Sequence, residues 1–140
     1  MIQRIIRCKI TLLNTLQPLF LLGIRLWMAN VFWVSGVQKF NNWDATILLF
    51  TDEHPVPFLP PEAAAVFGTT FELLCPVLLV LGLGARFATL PLLVMTAVIQ
   101  FTYLDHITHY YWMLLLGMIL FFGAGKLSAD HLIARKYGAA

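Results

Sequence analysis

Four long apolar stretches constrain the fold of this chain more than any other feature. They run over residues 16–38, 62–84, 87–103 and 109–125. Each is close to the roughly 20 residues that an α-helix needs to cross the hydrocarbon core of a bilayer. We therefore predict an all-α integral membrane protein, a four-helix bundle that forms one domain over residues 1–140.

The composition supports this class of protein and argues against a soluble one. Of the 140 residues, 60% are hydrophobic and 11% are charged, with a mean hydropathy of +0.82. In a soluble domain, about a quarter of all residues are usually charged. The formal net charge of +2 is too small to indicate a nucleic-acid partner, so the predicted partner is the lipid bilayer.

The basic residues are distributed unequally between the two sides of the predicted membrane domain. With four spans, both termini and the loop between the second and third spans share one side, which carries Arg4, Arg7, Lys9, Arg86, Lys126, Arg135 and Lys136. The opposite side has only Lys39, and Arg25 lies within the first span. Because positive residues concentrate in cytoplasmic loops, we predict that both termini are cytoplasmic.

Three short helices are predicted outside the spans. The first fifteen residues place basic and apolar residues on opposite faces, which indicates an interfacial helix, although a basic leader that only sets topology fits as well. In the first outer loop, Asp44 is a plausible N-cap for a helix lying on the outer surface; a hydrophobic loop in the headgroups is the alternative. Ser128 is the predicted N-cap of a short C-terminal helix.

Apart from Glu62 at the very start of the second span, two charged residues fall inside the predicted spans. Arg25 lies about 14 Å from the inner start of the first span, and Glu72 lies about 15–18 Å from the inner end of the second, at 1.5 Å per residue. Each charge alone would cost about 3 kcal/mol at mid-membrane. We therefore predict that Arg25 and Glu72 pair inside the bundle, as a structural ion pair or as catalytic groups on a proton path.

Further polar residues favour a binding site that opens from this pair toward the outer face. Together they would form a polar column that could hold a quinone headgroup or another small molecule: Lys39, Gln100, Tyr103, His106 and His109. The spacing of His106 and His109 would also suit a metal site if His54 supplied a third ligand. An interfacial aromatic belt explains the same cluster, and we assign no metal ligands.

The two cysteines argue against disulfide-exchange chemistry. Cys8 is predicted at the cytoplasmic face and Cys75 inside the second span, so the two thiols are not expected to meet. A C-x-x-C pair, the usual dithiol centre, does not occur in the sequence. We predict that Cys75 is a small buried core residue.

Three motifs follow one another in a characteristic order along the chain. They are "RLWMANVFWVSGVQKF" at 25–40, "FELLCPVLLVLGLGAR" at 71–86 and "GAGKLSADHLI" at 123–133. With a proline-containing loop between the first two, this order resembles the DoxX family of small bacterial membrane proteins, from about residue 19 to residue 132. The family ending usually has proline between the two glycines, where this chain has Ala124.

The resemblance implies a four-helix bundle in the bacterial cytoplasmic (inner) membrane, and it directs attention to Arg25, Lys39, Glu72 and Arg86. Relatives include a subunit of thiosulfate:quinone oxidoreductase, and others resemble membrane partners of thiol, sulfur or metal stress systems. Two hypotheses follow. The chain is a quinone-linked subunit that receives electrons from a redox protein partner, or it is a non-enzymatic anchor with a structural Arg–Glu pair. A homo-oligomer fits either hypothesis, and a transporter would need one to enclose a path.

Overall fold

The computed structural model describes residues 2–53, 56, 59–102 and 104–138, with side chains described from residue 15 onward. All regular structure in these ranges is helical. The six α-helices are α1 (Ile2–Asn41), α2 (Trp43–Leu48), α3 (Pro61–Leu81), α4 (Ala85–Thr102), α5 (Ile107–Phe122) and α6 (Ala129–Lys136), and a π-helical turn, Leu49–Glu53, follows α2. The prediction of an all-α protein is confirmed for the described ranges.

Three of the helices are long and apolar enough to cross a bilayer. They are the part of α1 from Thr15 to Asn41, the whole of α3, and the whole of α4. Helix α5 is also apolar but has only 16 residues. The chain therefore has the helices of a membrane protein, and three of the four predicted spans coincide with them.

Helix α1 is continuous over 40 residues, so the predicted N-terminal interfacial helix is not a separate element. Pro18 does not interrupt it. The side chains of residues 2–14, whose two faces motivated that prediction, lie outside the described residues. Among the described side chains, full burial begins at Leu21. The part of α1 that packs into the protein therefore starts about five residues later than the apolar stretch in the sequence.

The four long helices pack in the cyclic order α1, α3, α4, α5. Successive helices are antiparallel, because short connections join α3 to α4 and α4 to α5. The core between them contains Ile24, Met28, Ala29, Phe32, Cys75, Leu79, Ala85, Ala88, Leu92, Leu116, Ile119 and Ala124. Cys75 is buried there with 3% exposure, which confirms its prediction as a core residue.

One glycine brings α1 and α3 into close contact. A Cβ atom at Gly36 would lie 3.0 Å from the Cβ of Glu72, which is tighter than ordinary van der Waals contact. Because glycine has no side chain, the two helices approach closely at this level. The approach brings the last turns of α1 beside the carboxylate of Glu72.

Helix α2 and the π-helical turn fold back onto the long helices. The hydroxyl of Thr46 donates to the backbone oxygens of Lys39, at 2.9 Å, and Asn42, at 3.0 Å. The ring of Phe50 lies against Gly68 of α3. The structure thus confirms a helix in the loop after the first span. Its N-cap is Asn42 rather than the predicted Asp44, which lies in the first turn.

Helix α6 packs at the opposite end of the protein from α2. We call these two ends the α6 end and the α2 end. Ser128 is the N-cap of α6, as predicted, and its hydroxyl accepts from the backbone N–H of His131 at 3.2 Å. Asp130 accepts hydrogen bonds from the backbone N–H groups of Gly84 and Ala85, at 2.8 and 3.3 Å. The carboxylate of Asp130 therefore satisfies free donors at the start of α4, where negative charge is favourable.

Candidate functional site

An ion pair between α1 and α3 forms the centre of the candidate site. The ammonium of Lys39 donates to both carboxylate oxygens of Glu72, at 2.7 and 2.6 Å, and to the hydroxyl of Ser35 at 2.8 Å. The side chain of Glu72 is only 4% exposed and that of Lys39 is 16% exposed. All three donors of the ammonium are therefore used, and the pair is held by short, charge-assisted hydrogen bonds.

This pair replaces the predicted one between Arg25 and Glu72, which is wrong. Arg25 lies beside Gly82, ten residues further along α3 than Glu72, or about 15 Å at 1.5 Å per residue. The depth estimate failed because it counted from residue 16, whereas packing on α1 begins at Leu21. Lys39, one of the residues of the predicted polar column, pairs with Glu72 instead.

Arg25 is part of the α6 end. Its side chain is fully buried, and its Nη2 donates to the backbone oxygen of Leu127. Its Nε and Nη1 have no hydrogen-bond partner among the described residues. The guanidinium also lies so close to Gly82 that a Cβ there would collide with it, and the same Cβ would collide with Ser128. Arg25 thus connects α1 to the segment that leads into α6.

A cavity of about 180 Å³ opens beside the Lys39–Glu72 pair. Phe32 and Ser35 of α1 line one side, and His109 and Trp112 of α5 line the other. The rest of the lining comes from Val31, Met95, Thr96 and Ile99. An apolar cavity of about 150 Å³ is large enough for a benzene molecule, so this cavity has the size of a single aromatic ring, with charged groups at one wall.

Gln100 fixes the orientation of His109. The amide Nε2 of Gln100 donates to the carboxylate of Asp105, so its Oε1 is the acceptor. This oxygen accepts from the backbone N–H of His106 at 3.1 Å and lies 3.0 Å from Nδ1 of His109. In the neutral ring His109 therefore carries its proton on Nδ1. The Nε2 lone pair is left available as a base or hydrogen-bond acceptor.

The aromatic neighbours of His109 form one continuous group. The rings of His109 and Trp112 have centroids 5.3 Å apart, and those of Trp112 and Phe32 are 6.0 Å apart. His109 is 9% exposed and Gln100 is 3% exposed. Buried aromatic walls with a few fixed polar groups are typical of sites for small aromatic ligands.

Of the predicted site residues, the structure brings Lys39, Glu72 and His109 to the same cavity, with Gln100 directly behind His109. His106 is not part of the cavity lining; its Nδ1 accepts from the backbone N–H of Thr108 and so caps α5. Tyr103 and His54 lie outside the described residues. Among the described residues there is no group of three or more side chains that could hold a metal ion.

Sequence reasoning missed seven of the ten residues that line this cavity, and three of them show what signal was present. Ser35 lies one helical turn before Lys39, a spacing that places both side chains on one face of α1 and could have been noticed. Trp112 lies three residues after His109 and shares its face of α5 in the same way. Phe32 carries no such signal, because an apolar residue on a transmembrane helix has the same sequence appearance whether it faces a cavity, the core or lipid.

Comparison with known proteins identifies relatives of this chain. The model of the DoxX family matches residues 20–105. A protein of Haemophilus influenzae, described as an uncharacterized protein, is 32% identical over 133 residues, which cover 84% of this chain and 85% of the relative. No solved structure matches the chain. Lys39, Glu72 and Gln100 lie within the range matched by the family model, and His109 lies beyond it.

Proposed function

Because the chain belongs to the DoxX family, we propose that it is a membrane subunit that binds the headgroup of a quinone beside Lys39, Glu72 and His109. The observation that carries this proposal is the cavity of about 180 Å³ between the ion pair and the aromatic wall. A single-ring headgroup fits this volume. Its two oxygens need hydrogen-bonding groups, and the cavity supplies them from α1, α3 and α5.

Each residue beside the cavity has a separate role in this proposal. A bound quinone supplies two-electron chemistry in which its oxygens gain or lose two protons. Lys39 donates a hydrogen bond to a ligand oxygen in exchange for one of its present acceptors. Two electrons from a partner would require two protons from water at the quinone oxygens. The carboxylate of Glu72 and Nε2 of His109 would each accept a proton and pass it on, since both line the cavity. Arg25, at the α6 end, has no part in this exchange.

The electrons come from a redox protein partner in this proposal, because the sequence has no dithiol motif to supply them. Docking at the membrane surface would place that partner's redox group near the protein, while the quinone tail extends into lipid. The pathway would be one of the thiol, sulfur or metal stress systems that the family resemblance implies. The protein would then act as a subunit of a quinone-dependent oxidoreductase.

Titration of the purified full chain with a short-chain benzoquinone tests the proposal. Trp112 lines the cavity, so its fluorescence should be quenched on binding. A Trp112→Phe variant identifies its share of the signal. Glu72→Gln and His109→Ala should weaken binding about tenfold or more, since each removes a charged or strongly hydrogen-bonding group from the wall. Tyr110→Phe, on the exposed side of α5, is the matched control outside the cavity. Equal affinity in all the variants would refute the proposal.

We also propose the membrane arrangement that this function needs. All four long helices cross the bacterial inner membrane as one four-helix domain, with both termini and α6 in the cytoplasm. The unequal distribution of basic residues supports this orientation. Helix α5 rises about 24 Å, and its flanking residues at 104–106 and 123–125 extend the crossing.

A second candidate function rests on how completely Lys39 and Glu72 satisfy each other. Both carboxylate oxygens accept from one ammonium, whose third donor goes to Ser35. Such a closed arrangement suits a structural pair that fixes the register of α1 against α3 in a non-enzymatic membrane anchor. In that case Glu72→Gln would lower stability, and the chain would bind no quinone.

A further inference from the structure

An exposed amide on helix α1 is not used by the candidate site. Asn30 lies five residues after Arg25 and nine before Lys39, and its side chain is exposed. Its side-chain amide makes no hydrogen bond with any residue that the structure describes. Its exposed neighbours one turn away on the same face, Leu26 and Trp33, are apolar. In a membrane this amide therefore faces hydrocarbon, which offers it no hydrogen-bond partner.

A groove lies directly beside this amide. It has a volume of about 360 Å³ and runs between α1 and α3. Ala29 and Pro76, which are both buried, form its floor, and the larger side chains of Trp33, Val77 and Val80 form its edges. A small residue such as Ala29 at the floor of a lipid-facing groove allows another helix to approach closely.

We propose that Asn30 and this groove form the interface of a homodimer, with the α1 faces of two copies meeting around a two-fold axis. The carboxamide has both donors and an acceptor, so two copies of Asn30 can satisfy each other. A second copy inserted in the same orientation always presents its amide at the same depth. In such an isologous interface, Trp33 of each copy packs at the groove of the other.

The proposed interface is independent of the proposed quinone site. Asn30 lies about 13.5 Å from Lys39 along α1, and it lines the outer groove rather than the internal cavity. Dimerisation should therefore be unchanged in Glu72→Gln, and quinone binding should be unchanged when the dimer is weakened at Asn30. Failure of one proposal can thus be told from failure of the other.

Energy transfer between labelled copies tests the dimer. The full chain with Cys8→Ser and Tyr137→Cys is labelled with donor or acceptor dye at residue 137 and reconstituted into liposomes over a range of protein-to-lipid ratios. We expect concentration-dependent transfer. Asn30→Leu should weaken dimerisation by about 3- to 30-fold, the range for interhelical hydrogen bonds in membranes, and Asn30→Gln should largely preserve it.

Leu114→Ala is the matched control, because Leu114 is 64% exposed on α5, away from the groove. Cysteine cross-linking in the Cys8→Ser chain gives a second measurement that keeps Asn30 intact. Leu26→Cys, which lies in the same groove, should form a disulfide-linked dimer on oxidation in membranes, and Leu114→Cys should not. The proposal is overturned if the unmodified chain shows no transfer at any ratio, if Asn30→Leu dimerises as well as the unmodified chain, or if residue 114 cross-links as efficiently as residue 26.

Discussion

The ammonium of Lys39 lies 2.6 and 2.7 Å from the two carboxylate oxygens of Glu72, across the contact between α1 and α3. Gly36, one turn before Lys39, makes this contact close enough for the pair to form. The two charges cancel inside the protein, so neither has to be solvated by lipid. The same pair also borders the cavity that we assign to a ligand.

Removing one member of this pair should be more damaging than removing both. We expect Glu72→Leu or Lys39→Met alone to lower the free energy of unfolding by about 3–5 kcal/mol, because the remaining charge is left buried without a partner. The double variant Lys39→Met/Glu72→Leu should lose less than the sum of the two single variants. Unfolding of the purified protein in mixed micelles with increasing dodecyl sulfate measures these values.

The exposed acidic residue Asp52 provides the control for this cycle. Asp52→Asn should change the free energy of unfolding by no more than about 0.5 kcal/mol. Strictly additive losses in the double variant would show that Lys39 and Glu72 do not stabilise each other.

Loss of the Gln100 amide should impair ligand binding through His109. In Gln100→Leu, Nδ1 of His109 loses its partner, and the imidazole is free to change tautomer and rotate. We expect the affinity for a short-chain benzoquinone to fall by about tenfold and stability to fall by about 1–3 kcal/mol. Fluorescence titration and unfolding measure the two effects separately.

Tyr110→Phe is the comparison for this experiment, because Tyr110 is next to His109 on α5 but is 43% exposed and is not part of the cavity lining. It should leave the affinity unchanged. An affinity of Gln100→Leu equal to that of the unmodified chain would mean that the orientation of His109 does not matter for binding.

Two glycines at the α6 end should respond differently to the same substitution. Gly82 and Gly84 both have left-handed backbone conformations, with φ of +66° and +55°, so alanine at either position costs about 1–2 kcal/mol of backbone strain. A Cβ at Gly82 would also collide with the Arg25 guanidinium and with Ser128, whereas a Cβ at Gly84 meets nothing within 4 Å.

We therefore expect Gly82→Ala to lose about 1.5–3 kcal/mol more stability than Gly84→Ala, the value of a charged hydrogen bond such as that from Arg25 to Leu127. Unfolding of the two variants under identical conditions measures the difference. Equal losses would show that the close packing of Arg25 and Ser128 against Gly82 contributes nothing to stability at this end.

The proposed crossing of the membrane by α5 can be checked with reporter fusions. Alkaline phosphatase, which is active only outside the cytoplasm, should be active when fused after Leu104. A fluorescent protein that matures in the cytoplasm should fluoresce when fused after Gly138, and phosphatase fused after Gly84 should be inactive. An inactive phosphatase at 104 together with fluorescence at 138 would place both ends of α5 on the cytoplasmic side.

Much of the helical architecture follows from local signals in the sequence. Pro61 at the first turn of α3 and Gly82 at its end are typical of helix termini, and the predicted span of 62–84 agrees with the helix to within three residues. The ends of α4 follow equally closely. Apolar stretches bounded by such residues need no tertiary information to be recognised.

The ion pair could not be predicted in the same way, because depth along a helix depends on where its neighbours begin to pack. Arg25 seemed as deep as Glu72 only when counted from residue 16, about 7.5 Å before the first buried side chain at Leu21. Its actual acceptor, the backbone oxygen of Leu127, carries no side-chain signal at all. The orientation of His109 likewise depends on Gln100, a contact between two helices that periodicity does not reveal.

The hydrogen bond from Arg25 to Leu127 joins residues that are 102 positions apart. During synthesis, the guanidinium of Arg25 is made long before the carbonyl that it will donate to. All four long helices, the last of which ends at Phe122, precede Leu127 in the chain and so leave the ribosome before it. Completion of the α6 end is therefore a late event in the biogenesis of the protein, and a chain truncated before residue 127 would leave this buried cation without its acceptor.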